Sequence, residues 1–294
     1  MKLTVLSLLV TVVFFSCKKN EVSVLPAPVP AATPASLAAS NNMNVSYGTD
    51  ATQKMDVYLP AGRSASSTKL IIMIHGGGWT SGDKTDMTVY VDTLKRRFPS
   101  YAIININYRL VSATNNFFPT QENDVKAAVE FIYNKRNEYA VSDKFVLMGA
   151  SAGAHLALLH AYKYNTPVKI KAVVDFFGPT DMAAMYNNPA SIYAPPSSIA
   201  QLFNGATPVT NPTAYTQSSG LTFVTPQSPP TIILHGGQDP LVKPSQATAL
   251  RDKLALNTVS NQYVFYPAES HGWIGANLGD SFDKIQAFLN LYVQ

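Results

Sequence analysis

A Gly-Ala-Ser-Ala-Gly sequence at residues 149–153 places a serine between two kinds of predicted secondary structure. Residues 144–148 form a β-prone run, and residues 154–164 carry apolar side chains at helical spacing. Ser151 is therefore predicted on a sharp strand-to-helix turn. Such a turn strains the backbone of the serine, and the flanking glycines keep Cβ atoms out of the adjoining strand and helix. The hydroxyl of Ser151 is then exposed as a nucleophile.

A His-Gly-Gly-Gly-Trp loop at residues 75–79 follows an apolar run that is predicted to be a buried strand. The loop resembles the HGGG loop that contributes to the oxyanion hole of esterases and lipases. Consecutive glycines allow backbone N–H groups to turn inward together. We predict that the N–H groups of Gly77 and Gly78, with that of Ala152, bind the oxyanion of a tetrahedral intermediate. The chain has no P-loop or dinucleotide-binding glycine pattern, which argues against nucleotide binding.

A nucleophilic serine usually works in a catalytic triad with a histidine base and an acidic residue. In hydrolases that carry the serine on such a strand-to-helix turn, the triad follows the chain order serine, acid, histidine. The acid is therefore sought after Ser151. Asp239 is preferred, since it follows the apolar strand predicted at residues 231–234. Open α/β sheets keep their sites at the carboxyl ends of such strands. Asp181 is the alternative acid, and in a purely structural role it would close an Asx turn or cap the next helix.

The base must be a histidine that lies after the acid, and the chain contains five histidines: His75, His155, His160, His235 and His271. His271 alone follows every candidate acid, in a loop between a β-prone run and the last helical pattern. Such a loop allows an imidazole to reach back to the serine. His75 belongs to the glycine-rich loop, His155 and His160 are predicted to pack on the helix after the serine, and His235 is predicted to order its own loop.

These candidate residues lie in a regular alternation of strands and helices, which predicts an α/β fold with a mostly parallel sheet and helices on both faces. About 250 residues remain for this one domain once the front of the chain is set aside. Strands are predicted at residues 55–59, 70–74, 101–107, 145–148, 170–176, 231–234 and 262–266.

The first 43 residues have the pattern of an exported lipoprotein. Lys2, an apolar run and Ser16 are typical of an export signal over residues 1–16. Cys17 is the only cysteine of the chain, and its place after the apolar run resembles the lipidation site of bacterial lipoproteins. An ordinary cleaved signal peptide is the alternative. Residues 17–43 are rich in proline and alanine and are predicted to be an extended tether ahead of the catalytic domain at residues 44–294.

The predicted location and charge also limit the partners. The apolar run is shorter than the roughly 20 residues of a transmembrane helix, so we expect contact with a membrane through the lipid alone. The formal charge of +4 falls to +3 on cleavage before Cys17, because Lys2 is removed. So small a charge argues against a nucleic-acid partner.

Together these motifs resemble the α/β-hydrolase carboxylesterases, and within them the compact bacterial esterases that include acetylxylan and feruloyl esterases. The resemblance spans nearly all of residues 45–294. It implies a central eight-stranded sheet and a Ser-Asp-His triad that works without a metal or an organic cofactor. The residues that carry it are 75–79, 108–110, 118–119, Asp124, 149–153, Asp239 and His271.

An insertion at residues 181–229, rich in Pro, Asn, Ser and Tyr, is predicted to be irregular and to form a small lid or pocket wall. Its aromatic residues either stack on a sugar or aromatic acyl group or form a core of their own. These residues are Tyr186, Tyr193, Phe203, Tyr215 and Phe223.

The favoured function is an exported serine carboxylesterase that acts on short-acyl or aromatic esters, on small molecules or on acylated polysaccharides. A serine peptidase of the prolyl-oligopeptidase type shares the serine turn and the triad order, but no propeller domain is evident. A catalytically silent binding lipoprotein is the third alternative, and it has no physical need for the complete set of Ser151, Asp239 and His271.

Overall fold

The computed structural model describes residue 8, residues 10–15 and residues 36–294. Contacts separate Met1–Ala35 from Ser36–Gln294, and the fold is that of the second unit. Cys17, with most of the predicted export signal and tether, lies outside the described residues.

Ser36–Gln294 is built around one eight-stranded sheet, as the resemblance implied. Its strand order is β1-β2-β4-β3-β5-β6-β7-β8. β1, β2 and β4 pair antiparallel, and the other neighbours pair parallel. The strands are β1 (Ser40–Ser46), β2 (Lys54–Leu59), β3 (Leu70–Ile74), β4 (Ala102–Ile106), β5 (Phe145–Ala150), β6 (Ala172–Phe176), β7 (Thr231–Gly236) and β8 (Asn261–Tyr266).

Within Ser36–Gln294, eight α-helices accompany the sheet: α1 (Thr88–Arg97), α2 (Thr120–Tyr139), α3 (Ala152–Lys163), α4 (Met182–Asn187), α5 (Pro196–Leu202), α6 (Pro212–Ser218), α7 (Pro244–Leu256) and α8 (Gly275–Tyr292). Two 3₁₀ helices cover Lys84–Met87 and Gly220–Phe223. Within the described part of the chain, no helix combines the length and apolar character that crossing a membrane requires.

Helices cover both faces of the sheet, so its central strands are buried on each side. Every residue of β3, β4, β5, β6 and β7 is buried. One core contains apolar residues of α2, α3 and α7, and the other contains those of α1 and α8. Two-sided burial explains why these strands read as continuous apolar runs in the sequence. The predicted parallel sheet with helices on both faces is confirmed.

β1 corrects the predicted domain boundary, which assigned residues 40–43 to the tether. This strand pairs antiparallel with β2 and is irregular between Asn42 and Val45. Its side chains are mostly exposed, because it is an edge strand held by backbone hydrogen bonds. Met43 and Val45 are its only apolar residues, and an alternation of two residues is too short for sequence analysis to detect.

The insertion at residues 181–229 contains regular helices, contrary to the irregular segment predicted. The side chain of Asp181 accepts the N–H of Ala184 at the start of α4, and that of Asn211 accepts the N–H of Ala214 at the start of α6. Proline occupies the first turn of both α5 and α6. Asx caps and first-turn prolines start helices that are too short to show a clear apolar period.

Candidate active site

Ser151 lies between β5 and α3 in a strained backbone conformation, with φ 55° and ψ −121°. Its N–H donates to the carbonyl of Phe176 at 2.8 Å, which ties the turn to the neighbouring strand β6. A Cβ atom on Gly149 would lie 2.3 Å from the carbonyl carbon of Gly153. A Cβ atom on Gly153 would lie 2.1 Å from the carbonyl oxygen of Ile74. Both glycines are therefore required by close backbone packing around the serine.

The three side chains of the predicted triad form one hydrogen-bonded chain. The Oγ atom of Ser151 is 2.9 Å from Nε2 of His271. Nδ1 of the same imidazole is 2.7 Å from Oδ2 of Asp239. Since a carboxylate only accepts hydrogen bonds, Nδ1 of His271 carries the proton and Nε2 presents its lone pair to the serine. The arrangement can take a proton from Ser151 and stabilise the resulting imidazolium.

Asp239 is held by hydrogen bonds to both of its oxygens. Oδ1 accepts the backbone N–H groups of Leu241 at 2.8 Å and Val242 at 2.9 Å. Oδ2 also has a longer contact of 3.4 Å with Nε2 of His235. Burial by itself would raise the pKa of Asp239, but hydrogen bonds from His235, His271 and Val242 outweigh burial and lower the pKa below its usual range. The group is therefore ionised beside His271.

The loop after β3 contains Gly77 and Gly78, two of the three predicted oxyanion donors. Gly77 has φ 97° and Gly78 has φ 58°, a left-handed region in which glycine is favoured. A Cβ atom on Gly77 would lie 2.0 Å from the carbonyl oxygen of Ser81. Gly77 and Gly78 line a cleft together with Ser151. Ala152, the third predicted donor, is the first residue of α3, whose N-terminal N–H groups favour negative charge.

His75 and Tyr108 hold this loop in place through buried contacts. The His75 ring is buried and stacks on Tyr108 with ring centroids 4.3 Å apart. The Tyr108 hydroxyl donates to the carbonyl of Gly76 at 3.0 Å. Burial lowers the pKa of His75, so its ring stays neutral at pH 7.

The side chains of His155 and His160 are buried in α3, and among the described residues neither is recorded in a hydrogen bond with a triad side chain. The indole N–H of Trp79 donates to Nδ1 of His155 at 3.2 Å, and Nε2 of His155 lies 2.7 Å from the carbonyl oxygen of Ser218. His155 therefore joins the glycine-rich loop, α3 and the insertion. Burial lowers the pKa of each histidine to about 4.

Asp181, the alternative acid, caps helix α4 instead of contacting His271. Its Oδ1 atom accepts the N–H of Ala184 at 2.9 Å. The structure thus brings Asp239, and not Asp181, to the imidazole.

Two clefts meet at Ser151. The insertion-side cleft, of about 180 Å³, is lined by residues of the insertion and by Trp79, Leu241 and Val242. The histidine-side cleft, of about 380 Å³, lies beside the first turn of α1, and His271 is part of its wall. Gly78, Ser151 and Leu241 border both clefts.

The five aromatic residues of the insertion have different positions. Tyr193 lines the insertion-side cleft and is 74% exposed. Phe203 and Tyr215 are buried with ring centroids 4.4 Å apart, and Tyr186 packs against Tyr215 at 5.8 Å. Phe223 lies under the Lys163 ammonium group. Of the five, only Tyr193 lines either of the two clefts that meet at Ser151.

Sequence analysis missed several residues around the site. His235 approaches the carboxylate of Asp239, a contact that its spacing of four residues from Asp239 could have suggested. The Phe177 ring packs on the His271 ring with centroids 4.6 Å apart. Asp86 and Tyr90 line the histidine-side cleft. No sequence signal links either residue to the cleft, because both reach it from a helix start that is far from the triad in the chain.

Comparison with known proteins shows that this chain is similar to ester hydrolases. A family model described as BD-FAE matches residues 55–254. Esterase LipC of Mycobacterium tuberculosis is 24% identical over 262 residues, which cover 84% of this chain and 64% of the relative. The probable carboxylic ester hydrolase LipM of the same organism is 27% identical over 208 residues, 67% of this chain and 47% of the relative. The chain thus spans about half to two thirds of the length of these relatives.

A solved structure, described as a truncated form of carbohydrate esterase from gut microbiota, matches with a TM-score of 0.74. It is 24% identical, and the match covers 87% of this chain and 97% of the solved chain. The two proteins share a fold.

Proposed function

The chain belongs to the BD-FAE family, and on this premise we propose that it is a serine hydrolase of carboxylic esters that works through an acyl-enzyme. The resemblance to α/β-hydrolase carboxylesterases is confirmed by the family match, and the fold by the solved structure. The observation that carries the proposed activity is the hydrogen-bonded chain from Ser151 through His271 to Asp239.

In the first half of the proposed reaction, Oγ of Ser151 attacks the ester carbonyl carbon while its proton moves to Nε2 of His271. The carbonyl oxygen becomes an oxyanion, which accepts hydrogen bonds from the N–H groups of Gly77, Gly78 and Ala152. Collapse of this intermediate breaks the bond between the acyl carbon and the alcohol oxygen. The alcohol leaves with the proton from Nε2, and the acyl group stays on the serine.

In the second half, water takes the place of the alcohol. Nε2 of His271 accepts a proton from the water as its oxygen attacks the acyl carbon. The same N–H groups stabilise the second oxyanion. Return of the proton to Oγ of Ser151 releases the carboxylic acid, and no other reagent is required.

The size of the insertion-side cleft supports short-acyl or aromatic substrates. Its volume of about 180 Å³ is below the range of roughly 300–1,000 Å³ that is common for ligand pockets. Met185 and Ile199 provide apolar wall, whereas Ser198 and Gln201 add polar atoms. We further propose that polysaccharides can serve as the alcohol part of the substrate, since the histidine-side cleft is about twice as large as the insertion-side cleft.

A substrate panel tests this function. We expect turnover of p-nitrophenyl acetate and butyrate, methyl ferulate or acetylated xylan, with a steep loss as the acyl chain lengthens beyond the small cleft. An aminoacyl anilide is the matched peptidase substrate, and it should remain intact. Cleavage of the anilide without hydrolysis of any ester would reverse the assignment in favour of a peptidase.

We also propose that the mature protein begins at Cys17 and carries lipid there, with residues 17–39 as a tether. The support is the apolar run that ends in Ser16 and the single cysteine directly after it. Each buried CH₂ of an acyl chain contributes about 0.8 kcal/mol, so two or more chains hold a protein on a membrane.

Fractionation of a bacterial host tests the lipid attachment. Wild-type protein should sediment with membranes, and Cys17→Ser should lose that association while keeping esterase activity. Ser16→Ala is the matched control, because it keeps both a small residue and the cysteine. Soluble wild-type protein with a different N-terminus would contradict the anchor and leave the ester chemistry unaffected.

A further inference from the structure

The proposed reaction distinguishes the two clefts that meet at Ser151. The departing alcohol must receive its proton from Nε2 of His271, so it has to lie on the side of the serine that His271 occupies. His271 lines the histidine-side cleft and does not line the insertion-side cleft. If the proposed function holds, the acyl group therefore occupies the insertion-side cleft, and the alcohol occupies the histidine-side cleft.

Asp86 is the one carboxylate among the residues that line the histidine-side cleft. Its side chain closes a capping box at the 3₁₀ helix over Lys84–Met87, where Oδ2 accepts the N–H of Asp83 at 2.9 Å. This bond uses one of the two carboxylate oxygens. A carboxylate accepts about four hydrogen bonds, so Asp86 retains capacity for donors from a bound molecule.

The segment that carries Asp86 is fixed by buried contacts. The Lys84 ammonium group lies 3.0 Å from Oδ2 of Asp56, and both side chains are almost fully buried. The N–H of Lys84 donates to Oδ1 of Asn107 at 2.6 Å, and Met87 is buried in the core. Because this segment is already fixed, binding of a ligand to Asp86 costs little conformational entropy of the protein.

The other groups of this cleft combine a hydroxyl with apolar surface. Tyr90 lines the cleft, and its ring packs edge-on against Phe176 at 5.4 Å. Burial raises the pKa of Tyr90, so its hydroxyl keeps its proton and can both donate and accept a hydrogen bond. Met87 and Phe177 add apolar wall. A carboxylate and a hydroxyl over an apolar surface are complementary to a molecule with several hydroxyl groups and C–H faces.

We infer that Asp86 determines specificity for the alcohol part of the substrate, by accepting hydrogen bonds from hydroxyl groups of the sugar that the proposed function assigns to the histidine-side cleft. Two hydroxyl groups of a sugar can donate to the carboxylate of Asp86, and charge-assisted hydrogen bonds of this kind are stronger than neutral ones. The same charge disfavours alcohols that carry a carboxylate or phosphate. Asp86 would attract a cationic alcohol as well, but the Tyr90 hydroxyl in the cleft lining, with the Tyr90 ring packed between Phe176 and Phe282, favours a partner that carries hydroxyl groups.

The test uses two esters of one acid with different alcohols, methyl acetate and monoacetylated xylobiose. The readout is the ratio of kcat/KM for the xylobiose ester to kcat/KM for the methyl ester. Asp86→Asn keeps the side-chain size and an oxygen that can accept the Asp83 N–H, but the variant loses the charge. Loss of a hydrogen bond to a charged group lowers the ratio by about tenfold or more. Tyr90→Phe should lower it less.

Asp92→Asn is the matched control, since Asp92 is an exposed carboxylate on α1 outside the cleft lining. Its ratio should equal that of the wild type. An unchanged ratio in Asp86→Asn would overturn the inference, as would wild-type protein that hydrolyses methyl acetate and not the sugar ester. A greater loss on acetylcholine than on the sugar ester would reassign the cleft to a cationic alcohol. Failure of the wild type on both acetate esters and on the whole substrate panel would instead reject the proposed function.

Discussion

Ser151→Ala is expected to lower kcat for ester hydrolysis by about 10⁶-fold, because the variant retains only substrate binding and oxyanion stabilisation. Oγ of Ser151 is the atom that lies 2.9 Å from Nε2 of His271, and no other hydroxyl is recorded within hydrogen-bond distance of that nitrogen among the described residues. The removal of one oxygen atom leaves the backbone of the turn in place. Steady-state kinetics with p-nitrophenyl acetate measure the loss.

The control for this variant separates chemistry from folding. Ser100→Ala removes an exposed hydroxyl outside the two clefts and should keep wild-type kcat. Circular dichroism and thermal unfolding should superpose for all three proteins. Near wild-type turnover in correctly folded Ser151→Ala would eliminate the acyl-enzyme mechanism.

Asp239→Asn is expected to lower kcat by about 10⁴-fold, because it changes the tautomer of His271. Oδ1 of Asp239 accepts two backbone N–H groups, so the amide oxygen of asparagine takes that place. The amide NH₂ then faces Nδ1 of His271, which must lose its proton to accept the bond. Nε2 becomes the protonated nitrogen, and the imidazole can no longer accept the proton of Ser151.

Asp181→Asn is the matched control for the acid. Asparagine is also a good helix cap, so this variant should keep both activity and stability. ¹⁵N NMR of the His271 ring should show the exchanged tautomer in Asp239→Asn alone. If Asp181→Asn were the more damaging variant, Asp181 and not Asp239 would be the acid of the reaction.

The sequence by itself determined the parts of the site that depend on neighbouring residues. The serine turn needs small residues two positions away on each side, and the structure shows backbone atoms 2.1–2.3 Å from where their Cβ atoms would lie. The continuous apolar runs of β3 to β7 were readable because helices cover both faces of the sheet. The glycine-rich loop was readable because positive φ angles favour glycine.

The edge strand and the helices of the insertion could not be predicted from the sequence, because neither shows a regular pattern of apolar residues. β1 is held by backbone bonds to β2 and buries little side-chain surface, so its sequence SNNMNVS offers only Met43 and Val45 as alternating apolar residues. Helices α4, α5 and α6 have six or seven residues each, too few for a clear helical period.

Tertiary structure alone decided which residues meet at the serine. His271 is 120 residues from Ser151 in the chain, and 32 residues separate it from Asp239. The place of Asp239 after the strand predicted at residues 231–234 could rank it above Asp181, but only the packing of the loop after β7 brings one of these carboxylates to the imidazole. The capping-box spacing of Asp83 and Asp86 is a local pattern, but it does not show that Asp86 reaches the histidine-side cleft, which depends on the buried pair of Lys84 and Asp56. Local motifs follow from steric rules that act within a few residues, whereas the clefts form from segments that only the folded sheet brings together.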